Sequence, residues 1–116
     1  MPNRILREGI LTGAPKYVRR GAWVNIQVKR RIVALPCAIC GRPDDIECDH
    51  IVGLREGGKS EEANLQPLCR TCNSLKRHHK TNEAVRRWIA SNPTKFERSQ
   101  SYRTKRLALI AAGEWW

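Results

Sequence analysis

The chain has 116 residues and carries 22 Lys and Arg against 11 Asp and Glu, a formal net charge of +11. That length suits one domain whose apolar core alone gives modest stability, and the charge calls for a polyanionic partner such as DNA, RNA or an anionic membrane. No run approaches the roughly 18 apolar residues of a membrane span, and no apolar stretch near the start reads as a signal peptide, so the expectation is an intracellular protein without membrane partners.

Residues 1–21 place Pro2, Gly9, Gly13, Pro15 and Gly21 among Arg4, Arg7, Lys16, Arg19 and Arg20. They read as an irregular basic arm that either tracks phosphates or is a solvated tail. From Ala22 to Leu35 the pattern is ambiguous: Val24, Ile26 and Val28 alternate like a strand, whereas Trp23, Ile26, Arg30 and Val33 share a helical face. The absence of internal Gly or Pro favours a helix that Pro36 ends. Cys37 to Gly41 then forms a knuckle, with Gly41 free to adopt the left-handed turn. Ile46, Cys48 and His50 share one strand parity, and Glu47, Asp49 and Ile51 the other.

Gly53 to Lys59 reads as an exposed loop, Leu65 and Leu68 anchor a short extended piece limited by Pro67, and nothing breaks a helix from Arg70 to about Lys80. The central unit, 22–80 with its leading helix, is therefore strand, loop, short strand, helix. A helical extension, 81–116, follows. Thr81 or Asn82 caps its first helix, whose face holds Val85, Trp88 and Ile89 before Asn92–Pro93. Thr94 and Glu97 suggest a capping box opening a helix through Phe96, Leu107 and Ile110 to Gly113. Trp115–Trp116 either binds a partner or folds back over the domain.

Inside a cell, five cysteines grouped as two Cys-x-x-Cys pairs plus one are ligands rather than disulfides. Cys37, Cys40, Cys69 and Cys72 suit one tetrahedral zinc, because each two-residue spacer lets both sulfurs reach the same ion. Cys48, outside both pairs, reads as a buried small residue. Asp49 is a hard oxygen ligand for Mg²⁺ or Mn²⁺, and the amide oxygen of Asn73 can complete a sparse coordination set. His50 can take a proton from water near neutral pH. Asp49 and His50 are adjacent on a strand and point to opposite faces, so a twist or bulge is needed for both to serve one site.

Cys37-Ala-Ile-Cys40, Asp49-His50-Ile51-Val52, Gly57-Gly58, Asn64-Leu65-Gln66-Pro67-Leu68-Cys69 and Cys72-Asn73-Ser74-Leu75-Lys76 together resemble a zinc-stapled HNH endonuclease of the His-Asn-Asn variant. The likeness runs from about Val33 to His79, under half the chain. It implies a small α+β fold: a ββα-metal HNH core stapled by a four-cysteine zinc site, with flanking helices. It also implies catalytic roles: His50 as general base, Asp49 and Asn73 as ligands of a catalytic Mg²⁺ or Mn²⁺, and Asn64 as the residue that secures the loop between the strands. Asn73 stands where many members carry histidine, which argues for a hard ion. Arg77 stands where some relatives have a further metal-binding histidine, and His78 and His79 do not match that place. Lys76, three residues after Asn73, shares its helical face and is expected, with Arg77, to contact phosphate.

The resemblance extends to small bacteriophage HNH proteins, some of which act beside the DNA-packaging terminase. It implies DNA as substrate, weak sequence preference, phage terminase or portal components as further partners, and the host cytoplasm as location. Two other classes remain. A non-catalytic zinc-containing nucleic-acid-binding module would make no use of Asp49 and His50, and an interaction adaptor would rest on the C-terminal helices and the Trp pair.

Overall fold

A computed structural model describes residues 23–113. The expected basic arm 1–21 and the Trp115–Trp116 pair lie outside the described residues. The elements run α1 (Ile26–Val33), β1 (Ile46–His50), two short 3₁₀ turns, β2 (Leu65–Cys69), α2 (Arg70–His79), α3 (Asn82–Ser91) and α4 (Pro93–Ala111). It is a small α+β fold, a two-stranded antiparallel sheet with helices packed around it.

Helix α1 is shorter than the expected span because the Asn25 side chain accepts from Gln27 N at 2.8 Å and sets its start there. Its buried face also differs from the expected one. Ile32 is buried and Val28 half-buried, whereas Ile26 is 51% exposed. Strand β1 pairs with β2 so that Ile46 faces Cys69, Asp49 faces Gln66 and His50 faces Leu65. Pro67 is tolerated because a two-stranded sheet has only edge strands, and its carbonyl accepts from Ala38 N at 2.8 Å. That bond ties the first cysteine knuckle to β2.

Two loops turn on glycine. Gly41 has φ +81°, which lets the knuckle reverse while Gly41 N donates to Cys37 O. At Gly58 a Cβ would overlap the Val52 carbonyl, so the loop between the strands closes only around a residue without one.

Helix α2 starts directly from β2, with Cys69 Sγ accepting from Cys72 N at 3.4 Å, and ends at Lys80, where φ is +79°. Thr81 caps α3 through Ala84 N. Helix α4 departs from the expected capping box. Pro93 occupies its first turn after Asn92, and the Asn92 side chain reaches back to Trp88 O at 2.9 Å, closing α3 instead of capping α4. Of the expected apolar face, Phe96 packs on the core and Leu107 is half-buried, but Ile110 is 48% exposed.

The centre of the molecule is made of thiols. Cys37, Leu68, Cys69 and Cys72 form the buried cluster, with Ile39, Cys40, Ile46, Ile89 and Phe96 packed against it. Among the described residues, Leu68 and Val85 are the large aliphatic side chains that are fully buried. The C-terminal helices close over this cluster, with Ile89 from α3 and Phe96 from α4, and Arg103 of α4 holds Asp45 by two bonds of 3.1 Å.

Candidate functional site

Each cysteine pair is a hook whose second residue donates its backbone N–H to the first sulfur, Cys40 N to Cys37 Sγ at 3.5 Å and Cys72 N to Cys69 Sγ at 3.4 Å. The sheet register brings the hooks together, and all four sulfurs lie within 4.8 Å of one another. Tetrahedral zinc with bonds of about 2.3 Å requires sulfurs about 3.8 Å apart, and Cys40 Sγ and Cys69 Sγ stand at 3.6 Å. Hydrogen bonds from Cys69 and Cys72 pull the Cys37 thiol well below its ordinary value. The same contacts push Cys69 up to about 12, through Cys37 first, and push Cys72 far upward. Four thiolates cannot crowd together without a cation, so the donor set fits structural zinc. Gln100 of α4 adds an outer contact that the sequence did not reveal: Nε2 donates to Cys40 Sγ at 3.4 Å and approaches Cys69 Sγ at 3.7 Å. Its Oε1 accepts from Arg42 at 3.0 Å.

The second cluster opens from β1 and α2 into a cleft of about 360 Å³, lined by Asp49, His50, Asn73, Lys76, Arg77 and Lys80 together with the 53–56 turn and Cys48. Strand β1 ends at His50 and the chain bends at Ile51–Val52, so Asp49 and His50 border one cleft despite their opposite parity. Asp49 Oδ2 accepts from Gln66 Nε2 at 3.0 Å and pairs with Lys76 Nζ at 2.9 Å. Both partners sit on Oδ2, which leaves the lone pairs of Oδ1 for another ligand. Gln66 is in turn bound to Asn82 by bonds of 2.8 and 3.0 Å, so the first residue of α3 braces the carboxylate from behind.

His50 Nε2 is 2.8 Å from Ser60 Oγ, and no bond to Nδ1 is found among the described residues. With Nε2–H donating to Ser60, Nδ1 carries the lone pair a base needs. Asn64 works as a clamp. Its Oδ1 accepts from Val52 N at 2.8 Å, and its Nδ2 donates to Val52 O at 3.0 Å and Lys59 O at 2.8 Å. Asn73 donates through Nδ2 to Glu47 Oε1 at 2.7 Å.

Lys76 does not lie where phosphate contact was expected. It is 8% exposed, and its ammonium turns inward to Asp49 and to His50 O at 2.9 Å. Arg77 is exposed at the cleft edge. Cys48 lines the cleft, and burial pushes its thiol above the ordinary value. His78 and His79 belong to a different groove of about 820 Å³ across the opposite face of α2, where the His79 ring lies 6.1 Å from Trp88. That groove is larger, but none of the candidate catalytic side chains reaches it.

The stretch that carries the histidine, the carboxylate, the helix amide and both thiol hooks is similar in sequence to a known family. Residues 37–80 match the HNH endonuclease family model. The matched HNH span holds all four clustered cysteines and every candidate catalytic residue. The chain is also 36% identical over 58 residues to the uncharacterized protein YdfU of Escherichia coli K12, covering 47% of this chain and 16% of that protein. It thus spans about a sixth of the length of the curated relative it matches. No solved structure matches. No helix among the described residues is long and apolar enough to cross a membrane.

Glu47, Ser60, Gln66, Asn82 and Gln100 are the partners sequence reasoning missed. Glu47 shares strand parity with Asp49 and was within reach of a parity argument. The other four depend on register or on chain returning from a distance.

Proposed function

We propose that this chain is a divalent-metal-dependent DNA endonuclease that hydrolyses phosphodiester bonds, nicking or cleaving double-stranded DNA with weak sequence preference. The observation that carries the reading is that Asp49, His50 and Asn73 border one open cleft edged by Arg55, Arg77 and Lys80. The HNH match over the same residues supports it. Phosphate contacts give such a protein most of its affinity, and the charge of +11 serves that end.

In this reading, zinc on Cys37, Cys40, Cys69 and Cys72 holds β2 and α2 against the knuckle. Asp49 and Asn73 would hold Mg²⁺ or Mn²⁺, which would supply Lewis-acid stabilisation of the charge that develops on the phosphoryl group and the 3′ leaving oxygen. Ser60 fixes the His50 ring, and Nδ1 accepts the proton of the attacking water as its oxygen bonds to phosphorus. Asn64 keeps the loop behind the histidine closed. The P–O3′ bond breaks, the departing 3′ oxygen takes a proton from solvent water, and 5′-phosphate and 3′-hydroxyl ends remain. The phage setting, with action beside terminase or portal components, belongs to the same proposal and rests on the basic charge and the resemblance.

A second reading has one observation in its favour. The buried Lys76 ammonium already neutralises Asp49, as it would in a zinc-containing nucleic-acid-binding module without catalysis. Supercoiled plasmid incubated with Mg²⁺ and either wild type or His50→Ala separates the two. Nicking by wild type alone supports the nuclease, and no nicking by either supports the module.

A further inference from the structure

Asn73 enters the cleft from α2, whereas Glu47, two residues before Asp49 on the same strand face, is not among the residues lining it. Between them runs the 2.7 Å bond from Asn73 Nδ2 to Glu47 Oε1. The other carboxylate oxygen, Oε2, lies 4.0 Å from Arg70 Nη1. An ionised carboxylate only accepts hydrogen bonds, whereas a primary amide has a donating end and an accepting end that can exchange by a half-turn about the last torsion. A carboxylate beside Asn73 therefore selects one of two orientations, with NH₂ toward Glu47 and Oδ1 away from it.

From this geometry we infer that Glu47 is a positioning residue, which locks the Asn73 amide so that its oxygen rather than its nitrogen is offered to a divalent cation shared with Asp49. The inference rests on the metal-site reading above and adds what that reading lacks. An asparagine is a poor ligand unless its orientation is imposed, since the flipped amide would point two N–H groups at a cation. Glu47 removes that state from behind, in the manner of outer partners that orient metal ligands.

The test is Mn²⁺ binding by the zinc-loaded full chain, followed by the paramagnetic resonance signal of free Mn²⁺, with zinc content and circular dichroism verifying the fold. Glu47→Gln should weaken Mn²⁺ binding about tenfold, the scale of an outer-partner loss, because glutamine accepts or donates and no longer selects an orientation. Lost charge alone would also weaken binding, so a double-mutant cycle with Asn73→Asp decides. A carboxylate at position 73 has no wrong end and is repelled by Glu47. In that background Glu47→Gln should strengthen Mn²⁺ binding, reversing its sign. Weakening in both backgrounds would overturn the positioning role in favour of simple attraction. Unchanged binding in Glu47→Gln, with binding lost in Asp49→Asn, would overturn the inference alone, and no Mn²⁺ uptake by wild type would overturn the metal site and the inference together.

Discussion

Lys76 Nζ lies 2.9 Å from Asp49 Oδ2 and 2.9 Å from the backbone oxygen of His50, so one buried ammonium is bonded to both residues of the Asp-His pair. The side chains involved are 9% and 16% exposed, and little water is available to replace either partner. Removing the carboxylate strands a buried charge, which typically costs about 3–5 kcal/mol. Asp49→Ala should therefore lower thermal stability as well as activity. Asp49→Asn, which keeps an oxygen for Lys76 and Gln66, should melt closer to wild type while needing more Mg²⁺ for cleavage. Melting curves beside Mg²⁺ titrations check this, and equal melting of both variants would show that the pair contributes little to the fold.

His50→Ala should keep zinc content, fold and DNA affinity but slow strand cleavage, because the proton acceptor goes and the basic surface stays. Ser60→Ala should fall between that variant and wild type. Rate constants on supercoiled plasmid with Mg²⁺ give the order, and a Ser60→Ala rate equal to wild type would show that the ring needs no orientation from the serine.

One zinc per chain is expected by elemental analysis. Oxygen-held Mg²⁺ or Mn²⁺ should leave to EDTA before the thiolate-held ion, and readdition should restore cleavage. Gln100→Ala should weaken zinc by about tenfold in chelator competition, since outer hydrogen bonds to ligands typically tune affinity on that scale. Unchanged zinc affinity would mean that the 3.4 Å contact from Gln100 to Cys40 Sγ is incidental.

Gly58→Ala should disrupt the loop that Asn64 clamps, because the new methyl would collide with the Val52 carbonyl. Faster amide exchange at Val52 and slower cleavage are the expected readouts, with zinc content unaffected.

Cys48 provides a pH-based check. Burial raises its thiol above the ordinary value, so its thiolate is scarcer than that of a free cysteine at the same pH. With the four clustered cysteines masked by zinc, iodoacetamide should label the protein at Cys48 slowly near neutral pH and faster as pH rises toward the raised value. Rapid neutral-pH labelling at Cys48 by mass spectrometry would contradict the placement.

Much of the fold was legible because the signals were local. The α2 and α3 helices, the strand through Cys48 and the zinc hooks follow from spacing, Pro and Gly placement, and parity. The start of α4 was misread because Thr94 and Glu97 imitate a capping box, while Pro93 at the first turn is the stronger constraint. The burial of Lys76 could not be read from its charge, since a lysine on an active face ordinarily reaches solvent. The ion pair between Asp49 and Lys76, 27 residues away along the chain, shows the carboxylate facing α2. Ser60 and Gln100 lie 10 and 60 residues from the atoms they contact, beyond any periodic pattern.

A core whose buried cluster is three cysteines and one leucine has a consequence for how the protein comes into being. Three small thiols and one leucine bury little apolar surface, and the thiolates that hold zinc repel one another until a cation arrives, so the freshly synthesised chain should await its metal before the strands close. Abundance of the mature protein would then track the zinc supply of the cell that makes it. Starvation for zinc would leave an unassembled polypeptide exposed to proteases, and the DNA cleavage proposed above would be held back by scarcity rather than by an inhibitor.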